Sequence, residues 1–165
     1  MGNITFAPVK TRASIETVQQ LAEKIWPEYY EPIIGSAQVK YMLGKIQSAE
    51  AIQGQINQGS LYFLIRDRNA QPFGYVAITP KPGELFLSKL YLSADYRGKG
   101  FGREAMDFVR EVAKSQKLFK VTLTVHKQNP SVKAYEKIGF KIIEPVVTDI
   151  GGGFVMDDYK MEIIF

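Results

Sequence analysis

The sequence predicts an α/β domain built on a mixed, mostly antiparallel sheet. Three consecutive apolar runs, at residues 61–66, 73–79 and 85–92, are separated only by short turn-forming segments, which is typical of an antiparallel meander. A helical segment then separates the third run from a β-branched strand at 120–126, and such a connection favours a parallel crossover. The 165 residues, 45% of them hydrophobic, suit one packed domain over residues 1–165.

The N-terminal third is predicted to hold one short strand and three helices. Residues 4–8 form the strand, and Ser14 is expected to cap a first helix whose apolar residues recur at three- and four-residue spacing. Pro27 and Pro32 are expected to end that helix, because proline lacks an amide hydrogen and clashes with the preceding turn. They would leave a loop rich in aromatic and acidic residues. Ser36 is predicted to cap the second helix, and a third follows it.

The C-terminal half is predicted to alternate helices and strands. A helix over residues 100–116 leads to the strand at 120–126, and another helix over 130–138 starts with proline in its first turn. Two closing strands are predicted at 141–148 and 159–165, on either side of a glycine-rich turn. With the N-terminal strand and the meander, these elements give a sheet of six or seven strands.

The composition excludes several classes of chemistry. The chain has no cysteine, which excludes disulfides, thiolate nucleophiles and cysteine-ligated zinc. His126 is the single histidine, so a histidine-rich metal centre is excluded, and no Gly-x-Ser-x-Gly nucleophile elbow is present. We therefore expect no metal site.

Charge and hydropathy set expectations about partners and location. The net charge of +4 is mild, so it permits an anionic small ligand but does not indicate nucleic acid. No apolar run approaches the ~20 residues needed to cross a bilayer, and the N-terminus lacks the layout of a signal peptide. The expectation is a cytoplasmic protein without nucleic-acid or membrane partners.

Three glycines lead into a helix directly after the third meander strand. Glycines allow backbone amides to approach a phosphate closely, and the free amides and dipole of a helix N-terminus favour negative charge. Three cationic side chains lie in the same segment, so the sequence predicts a site for a phosphate-bearing ligand. The glycines are Gly98, Gly100 and Gly102, and the cations are Arg97, Lys99 and Arg103.

Neither of the common nucleotide motifs fits this segment. Gly100-x-Gly102-x-x-Ala105 superficially resembles a dinucleotide fingerprint, but the acidic residue expected ~20 residues later is missing, since His126 ends that strand. A P-loop needs Gly-Lys-Ser/Thr after the glycines, and the sequence lacks it. A nucleotide-dependent oxidoreductase is therefore disfavoured.

The same residues resemble a known family, the Gcn5-related N-acetyltransferases (GNAT). Arg97-x-x-Gly100-x-Gly102 matches the family's Arg/Gln-x-x-Gly-x-Gly/Ala signature. Downstream, the segment from Tyr135 to Phe140 is similar to the family's Tyr-Glu-Lys-x-Gly-Phe motif. These two motifs stand at the separation that the family shows, which makes the resemblance specific.

The resemblance covers residues 73–165, with a weaker addition in the N-terminal half. There, the Trp-Pro-Glu-Tyr-Tyr segment at residues 26–30 looks similar to the PaiA-like subgroup of polyamine acetyltransferases. The resemblance implies a GNAT fold, in which a central pair of parallel strands splays apart, and acetyl-CoA (coenzyme A) as cofactor. It also implies an N-acetyltransferase that moves the acetyl group directly to a primary amine of a small molecule, polyamine-like or other, through a ternary complex.

Two alternatives to this function stay open from the sequence. One is a non-catalytic module that binds acyl-CoA without turnover, and the other is an N-acetyltransferase that acts on proteins or peptides. The family is often dimeric, so the resemblance also implies a homodimer.

By the same resemblance, backbone amides of the third meander strand contact the thioester, and the glycine loop binds the pyrophosphate. The family often has an asparagine seven residues before the tyrosine of its second motif. Gln128 stands at that spacing and Asn129 one residue later, so we expect Asn129 and leave Gln128 open. The implied cofactor-binding residues are Leu90, Tyr91, Leu92, Arg97, Gly98, Lys99, Gly100, Phe101, Gly102, Arg103, Asn129 and Tyr135.

The resemblance implies Tyr135 as the general acid. A phenol suits this role because its pKa of ~10 keeps it protonated at neutral pH, so it has a proton to give to a departing thiolate, whose own thiol has a pKa of ~8.5. The acceptor amine must itself lose a proton, and Glu84, at the start of the third meander strand, is the predicted base. His126 and a bound-water relay are the alternatives.

Acidic and aromatic residues are predicted to receive a cationic amine. Glu28, Tyr29 and Tyr30 lie in the loop predicted after the first helix, and Phe154 lies near the glycine-rich turn of the closing strands. The alternative is that the aromatic residues pack beneath the loop and the carboxylates remain solvated.

Overall fold

A computed structural model describes residues 4–165 as a seven-stranded sheet covered by helices on both faces. The strands are β1 (Thr5–Pro8), β2 (Leu61–Arg66), β3 (Pro72–Lys81), β4 (Glu84–Leu92), β5 (Lys120–His126), β6 (Lys141–Gly151) and β7 (Phe154–Ile164), and the helices are α1 (Arg12–Ile34), α2 (Ser36–Ile46), α3 (Ala49–Asn57), α4 (Phe101–Ser115) and α5 (Ser131–Ile138). The strand order is β1-β2-β3-β4-β5-β7-β6, and every neighbouring pair is antiparallel except β4 and β5. The predicted fold class is confirmed.

Alternate residues of β3 pack into hydrophobic cores on opposite faces of the sheet. In β3, Tyr75 and Ala77 pack with α1, α2 and α3, whereas Val76 and Ile78 pack with α4 on the opposite face. None of the helices within residues 4–165 has the length and apolar character needed to cross a membrane.

The first helix runs through both predicted breaks. Pro27 and Pro32 lie inside α1, although an internal proline costs about 3 kcal/mol. The same stretch buries Trp26 and Tyr30, and Trp26 Nε1 donates a hydrogen bond of 2.9 Å to Tyr75 Oη in β3. Burial against the sheet outweighs the local preference, so the predicted loop at this position is wrong.

The predicted N-caps of the first two helices are also wrong. Thr11 caps α1, because the Ser14 amide donates to Thr11 Oγ1 at 3.1 Å and the Thr11 amide donates to Ser14 Oγ at 3.0 Å. Ser14 therefore completes a capping box instead of starting the helix. In α2, Ser36 is the first helical residue, and Gly35 occupies the N-cap without a side-chain hydrogen bond.

The closing hairpin is longer than predicted and reaches over α2. β6 continues to Gly151, and β7 starts at Phe154 instead of residue 159. Tyr41 Oη and Lys45 Nζ of α2 donate to the Ile150 carbonyl at 2.9 and 3.0 Å. These contacts hold the hairpin tip against α2, so the hairpin encloses space above the sheet.

The two parallel strands at the centre of the sheet, β4 and β5, are paired only where they begin and then diverge. β4 and β5 pair only at Leu85–Val121 and Phe86–Thr122, near their N-terminal ends. β4 stays paired with β3, and β5 with β7, along the rest of their lengths. The C-terminal halves of β4 and β5 therefore diverge and leave a gap in the sheet, at the edge where α/β folds bind ligands.

Gly74 fixes the position of β4 beside this gap. It lies opposite Leu92, and a Cβ on Gly74 would lie 2.5 Å from the Tyr91 carbonyl oxygen and 2.9 Å from Leu92 Cδ2. Gly74→Ala should therefore push β4 away from β3 and lower the free energy of unfolding by about 1–3 kcal/mol, the usual effect of overpacking. Urea denaturation measures this change.

The matched control is Gly44→Ala in α2, because nothing lies within 4 Å of the Cβ position of Gly44. That substitution should raise stability by about 0.5–1 kcal/mol, as alanine favours a helix over glycine. A Gly74→Ala variant as stable as the unchanged protein would contradict the tight contact.

Candidate active site

Three adjoining cavities follow the gap between β4 and β5 through the sheet. The α4 groove, bounded by Gly102 and Tyr135, lies on the face covered by α4 and α5 and has two lobes of about 300 and 700 Å³. The hairpin chamber, bounded by Met42 and Asp158, lies on the other face and measures about 220 Å³. The gap cavity, of about 30 Å³, shares Tyr135 with the groove and Lys89 with the chamber. The two faces of the sheet thus communicate at the gap.

The N-terminus of α4 opens onto the groove without a side-chain cap. Its N-cap, Gly100, has φ = 87°, a left-handed conformation that favours glycine, and no side chain bonds to the first turn. The first amides of α4 are therefore available to an anion. Gly102 has nothing within 4 Å of its Cβ position, so it leaves space in the groove. Lys99 and Arg103 add positive charge and form no ion pair within residues 4–165. The site fits a phosphate group.

Arg97 is held by contacts inside the protein. Its Nε donates to the Leu92 carbonyl at 2.9 Å, and its Nη2 lies 3.1 Å from Glu28 Oε1. The guanidinium also lies 4.2 Å from the centre of the Tyr29 ring. Arg97 therefore ties α1 to the loop after β4, and Glu28 offsets its charge. Glu28, predicted to bind the acceptor, lies beside the groove and not in the hairpin chamber.

The edge of β4 presents free amides to the gap. The Ser93 amide donates to the Phe73 carbonyl of β3 at 2.7 Å. Amides of successive residues in a strand point to opposite edges, so the amides of Leu92 and Leu90 point away from β3. They face the gap, because β5 has already diverged. The edge of β4 therefore has amides free to bind a ligand, and its contact with the thioester stays a prediction.

Tyr135 lies where the groove meets the gap cavity. Its ring packs edge-on against Phe140 at 5.5 Å between ring centres. Burial is the main cause that raises the pKa of the Tyr135 hydroxyl, with smaller contributions from Tyr30 and Tyr29. Tyr135 therefore stays protonated at neutral pH and is available as a proton donor.

Asn129, and not Gln128, reaches the gap cavity. Asn129 is buried, and its Oδ1 accepts the Ser131 amide at 2.9 Å in the first turn of α5. Asn129 lines the gap cavity, whereas Gln128 lines the larger lobe of the groove. The two residues that the sequence left open are thus separated by the turn between β5 and α5.

Aromatic residues of α1 and β4 form a wall shared by the chamber and the gap cavity. The hydroxyl groups of Tyr30 and Tyr91 share a hydrogen bond of 2.7 Å. Burial raises the pKa of Tyr30 to about 12, and Trp26 completes the wall of the chamber. Tyr30 therefore lines the chamber and the gap cavity from a helix and not from the predicted loop, and its contact with the acceptor stays a prediction.

Two charged residues of the hairpin chamber, Lys89 and Asp158, were not predicted from the sequence. Asp158 is 8% exposed and its Oδ1 has no hydrogen-bond partner within residues 4–165. Burial, with a smaller contribution from Asp157, raises the pKa of Asp158 to about 6. The one sign in the sequence concerns Lys89, a charged residue in the apolar second half of β4; β7 carries several charged residues, so nothing in the sequence distinguishes Asp158.

Three predicted site residues point elsewhere. Glu84 and Leu92 are the two ends of β4, which at ~3.3 Å per residue are about 26 Å apart. Glu84 accepts a hydrogen bond from Thr122 at the paired end of β4 and β5, so the structure removes it as a candidate base.

Phe154 packs on Tyr41 at the hairpin tip, outside the chamber. The Phe101 side chain packs into the core instead of the groove.

Comparison with known proteins places these features in a family. Residues 30–163 match the acetyltransferase (GNAT) domain family. No curated protein matches the sequence.

Several solved structures share the fold at low sequence identity. The PaiA N-acetyltransferase from Thermoplasma acidophilum in complex with coenzyme A has a TM-score of 0.81 at 21% identity, covering 98% of this chain and 99% of that one. A GCN5-related N-acetyltransferase from Rhodopseudomonas palustris has a TM-score of 0.83 at 13% identity over 100% and 98% of the two chains. A point mutant of the spermidine N-acetyltransferase SpeG from Vibrio cholerae has a TM-score of 0.70 at 19% identity over 99% and 95%.

The open space at Gly102 gives a direct test of the groove. Gly102→Val should weaken coenzyme A binding at least tenfold, because the side chain would occupy space beside the uncapped amides of α4. Isothermal titration calorimetry measures the dissociation constant. Gly44→Val, which also introduces valine in place of a helical glycine with open space around it, is the control and should bind normally. Normal binding by Gly102→Val would remove this helix start from the site.

Proposed function

The chain belongs to the acetyltransferase (GNAT) domain family and is an acetyl-CoA-dependent N-acetyltransferase; we propose that it transfers the acetyl group directly to a primary amine of a small, polyamine-like molecule in a ternary complex. The observation that supports this most is the gap cavity, which adjoins the α4 groove on one face of the sheet and the hairpin chamber on the other. Acetyl-CoA in the groove and the amine in the chamber can then approach the gap cavity from opposite faces of the sheet. The absence of cysteine agrees with a transfer that uses no acetyl-cysteine.

The groove supports binding of the donor. The uncapped amides at the start of α4, with Lys99 and Arg103, suit the pyrophosphate of coenzyme A. Acetyl-CoA supplies a thioester, whose carbonyl carbon is open to attack by an amine. The amides of Leu90 and Leu92 face the gap, and there they can donate hydrogen bonds to the carbonyl oxygen as its negative charge develops.

Tyr135 suits the role of general acid. It lines both the groove and the gap cavity, and its raised pKa keeps the hydroxyl protonated, so a proton is available to the sulfur as the C–S bond breaks. Because Tyr135 lines both spaces, it favours an enzyme over a module that only binds acyl-CoA.

The hairpin chamber suits a small cationic amine. The carboxylate of Asp158, whose Oδ1 has no hydrogen-bond partner within residues 4–165, attracts an ammonium group. The rings of Trp26, Tyr30 and Tyr91 can stabilise a cation by their π faces. The volume of about 220 Å³ is closed on one side by the hairpin held on α2. A chamber of this size, closed on one side, favours a small molecule over a protein or peptide as acceptor.

The proposal includes a homodimer, supported by the outer edge of the sheet. β6 is the last strand of the sheet, and most of its side chains are exposed. They include Ile142, Ile143 and Val147, which are 40%, 47% and 65% exposed. An exposed apolar edge strand of this length is a template for pairing with a second chain.

A thiol-release assay with acetyl-CoA tests the acceptor class. We expect turnover with short polyamines and smaller diamines, weak turnover with amino acids and aminoglycosides, and none with peptides. The amide product is identified by mass spectrometry, and initial rates should give intersecting double-reciprocal lines because both substrates bind before transfer. Turnover of peptides in preference to small amines, or parallel lines, would contradict the proposal.

Tyr135→Phe tests the acid. It should lower kcat about 100-fold, the lower part of the range for general acid catalysis, with coenzyme A affinity and melting temperature unchanged. Tyr159→Phe is the control, because Tyr159 lies on β7 outside the three cavities. Full activity of Tyr135→Phe would leave Tyr135 with a packing role alone.

A further inference from the structure

A bulge in β4 directs the side chain of Lys89 towards the passage, by which we mean the gap cavity together with the adjoining hairpin chamber. The β3–β4 register shifts at Ser88, which is an extra residue in β4. Leu87, before the bulge, packs in the core with α4, whereas Tyr91, after it, packs with α1. Strict alternation would place Lys89 and Tyr91 on the same face as Leu87. The bulge therefore moves Lys89 to the opposite face, where it lines both the gap cavity and the hairpin chamber.

Lys89 and Tyr135 border the same small space. The gap cavity of about 30 Å³ is lined by both residues, and it has room for about one water-sized group. Lys89 reaches it from the chamber and Tyr135 from the groove. A reacting group in this cavity would thus meet an amine on one side and a phenol on the other.

Lys89 has no partner within residues 4–165. It takes part in none of the ion pairs there, and burial lowers the pKa of its ammonium to about 8. An amine with such a pKa is partly neutral near physiological pH, and the neutral form carries a lone pair that can accept a proton.

The other titratable groups that face this space are poorer proton acceptors. His126 Nδ1 accepts the Gln128 amide at 3.1 Å, so the neutral ring carries its proton on Nε2 and has no free lone pair. Asp158 lines the chamber but not the gap cavity. The phenols hold their protons because burial raises their pKa values. The complete set is Tyr29 and Tyr30 on α1, Tyr91 on β4, His126 on β5, Tyr135 on α5 and Asp158 on β7.

We propose that Lys89 is the general base of the acetyl transfer and takes the proton that the acceptor ammonium loses before its nitrogen attacks. The proposal rests on the proposed function.

The neutral Lys89 amine accepts one proton, which leaves a neutral acceptor amine and a Lys89 ammonium. The nitrogen forms the new C–N bond while the C–S bond breaks, and the sulfur takes the Tyr135 proton. The second proton of the nitrogen restores the Tyr135 hydroxyl, and Lys89 releases its proton to solvent. One ammonium and one thioester thus give one amide, one thiol and one proton.

Lys89→Met and Lys89→Arg test this role together. Arginine keeps the positive charge but cannot be deprotonated in this pH range. Both variants should lose about 100-fold in kcat with unchanged coenzyme A affinity, and neither should melt at a lower temperature. In the unchanged protein kcat should fall tenfold per pH unit below about 8, because Lys89 becomes protonated, and level off above it. In Lys89→Met the levelling near 8 should disappear, and kcat should keep rising towards the pKa of the acceptor amine itself, ~10.4 for an alkyl amine. Lys40→Met, an exposed site on α2, is the control.

An acceptor whose amine has a low pKa, such as a fluorinated analogue of the preferred amine, separates a base from a structural residue. This amine is already neutral in the assay, so Lys89→Met should acetylate it at nearly the unchanged rate. An equal loss of kcat in Lys89→Met with both acceptors would overturn the proposal. Full activity of Lys89→Arg would also overturn it, because it would indicate that the positive charge of Lys89 is needed and not its ability to accept a proton. Acetylation of Lys89 itself by acetyl-CoA alone, detected by mass spectrometry, would also overturn it. Absence of amine acetylation by the unchanged protein would instead overturn the proposed function.

Discussion

The separation of β4 from β5 is the constraint on which the rest of the site depends. The strands pair at only two positions, so a sheet that is otherwise continuous opens at its centre. This opening frees the amides of Leu90 and Leu92, and it joins the α4 groove to the hairpin chamber. The glycine loop follows β4 directly, which places the uncapped start of α4 beside the same gap. A continuous parallel pair would provide neither the amides nor the passage.

Buried polar contacts hold the walls of the passage in place. Trp26 donates to Tyr75, and Tyr75 in turn donates to Gln47 Oε1 at 2.6 Å. Gln47 Nε2 donates to Tyr62 at 2.9 Å, which connects α1, β3 and β2 through one satisfied network. Such a network rigidifies a core. Lys89 forms no ion pair and Asp158 Oδ1 accepts no hydrogen bond within the described residues 4–165, although both line the chamber beside this rigid wall. Buried charged groups without partners lower stability, and they are expected at a functional site.

Much of the fold could be predicted from the sequence, because strand alternation, short turns and the crossover helix are local patterns. The glycine loop was likewise recognisable, since Gly100 and Gly102 stand at a helix start. The path of α1 through Pro27 was not predictable, because it depends on burial of Trp26 against a strand distant in sequence. Lys89 was not predicted because a bulge reverses the alternation of β4, and the wrongly chosen Glu84 lies where the two strands are still paired.

The proposed acetyl transfer takes place across the gap between β4 and β5. A crystal structure with a bisubstrate analogue, coenzyme A joined through an acetyl linker to the preferred amine, tests it most directly. We expect the pyrophosphate at the start of α4, the linker between Leu92 and Tyr135 in the gap, and the amine in the hairpin chamber near Asp158. An analogue with its amine on the same face of the sheet as its pyrophosphate would contradict the account.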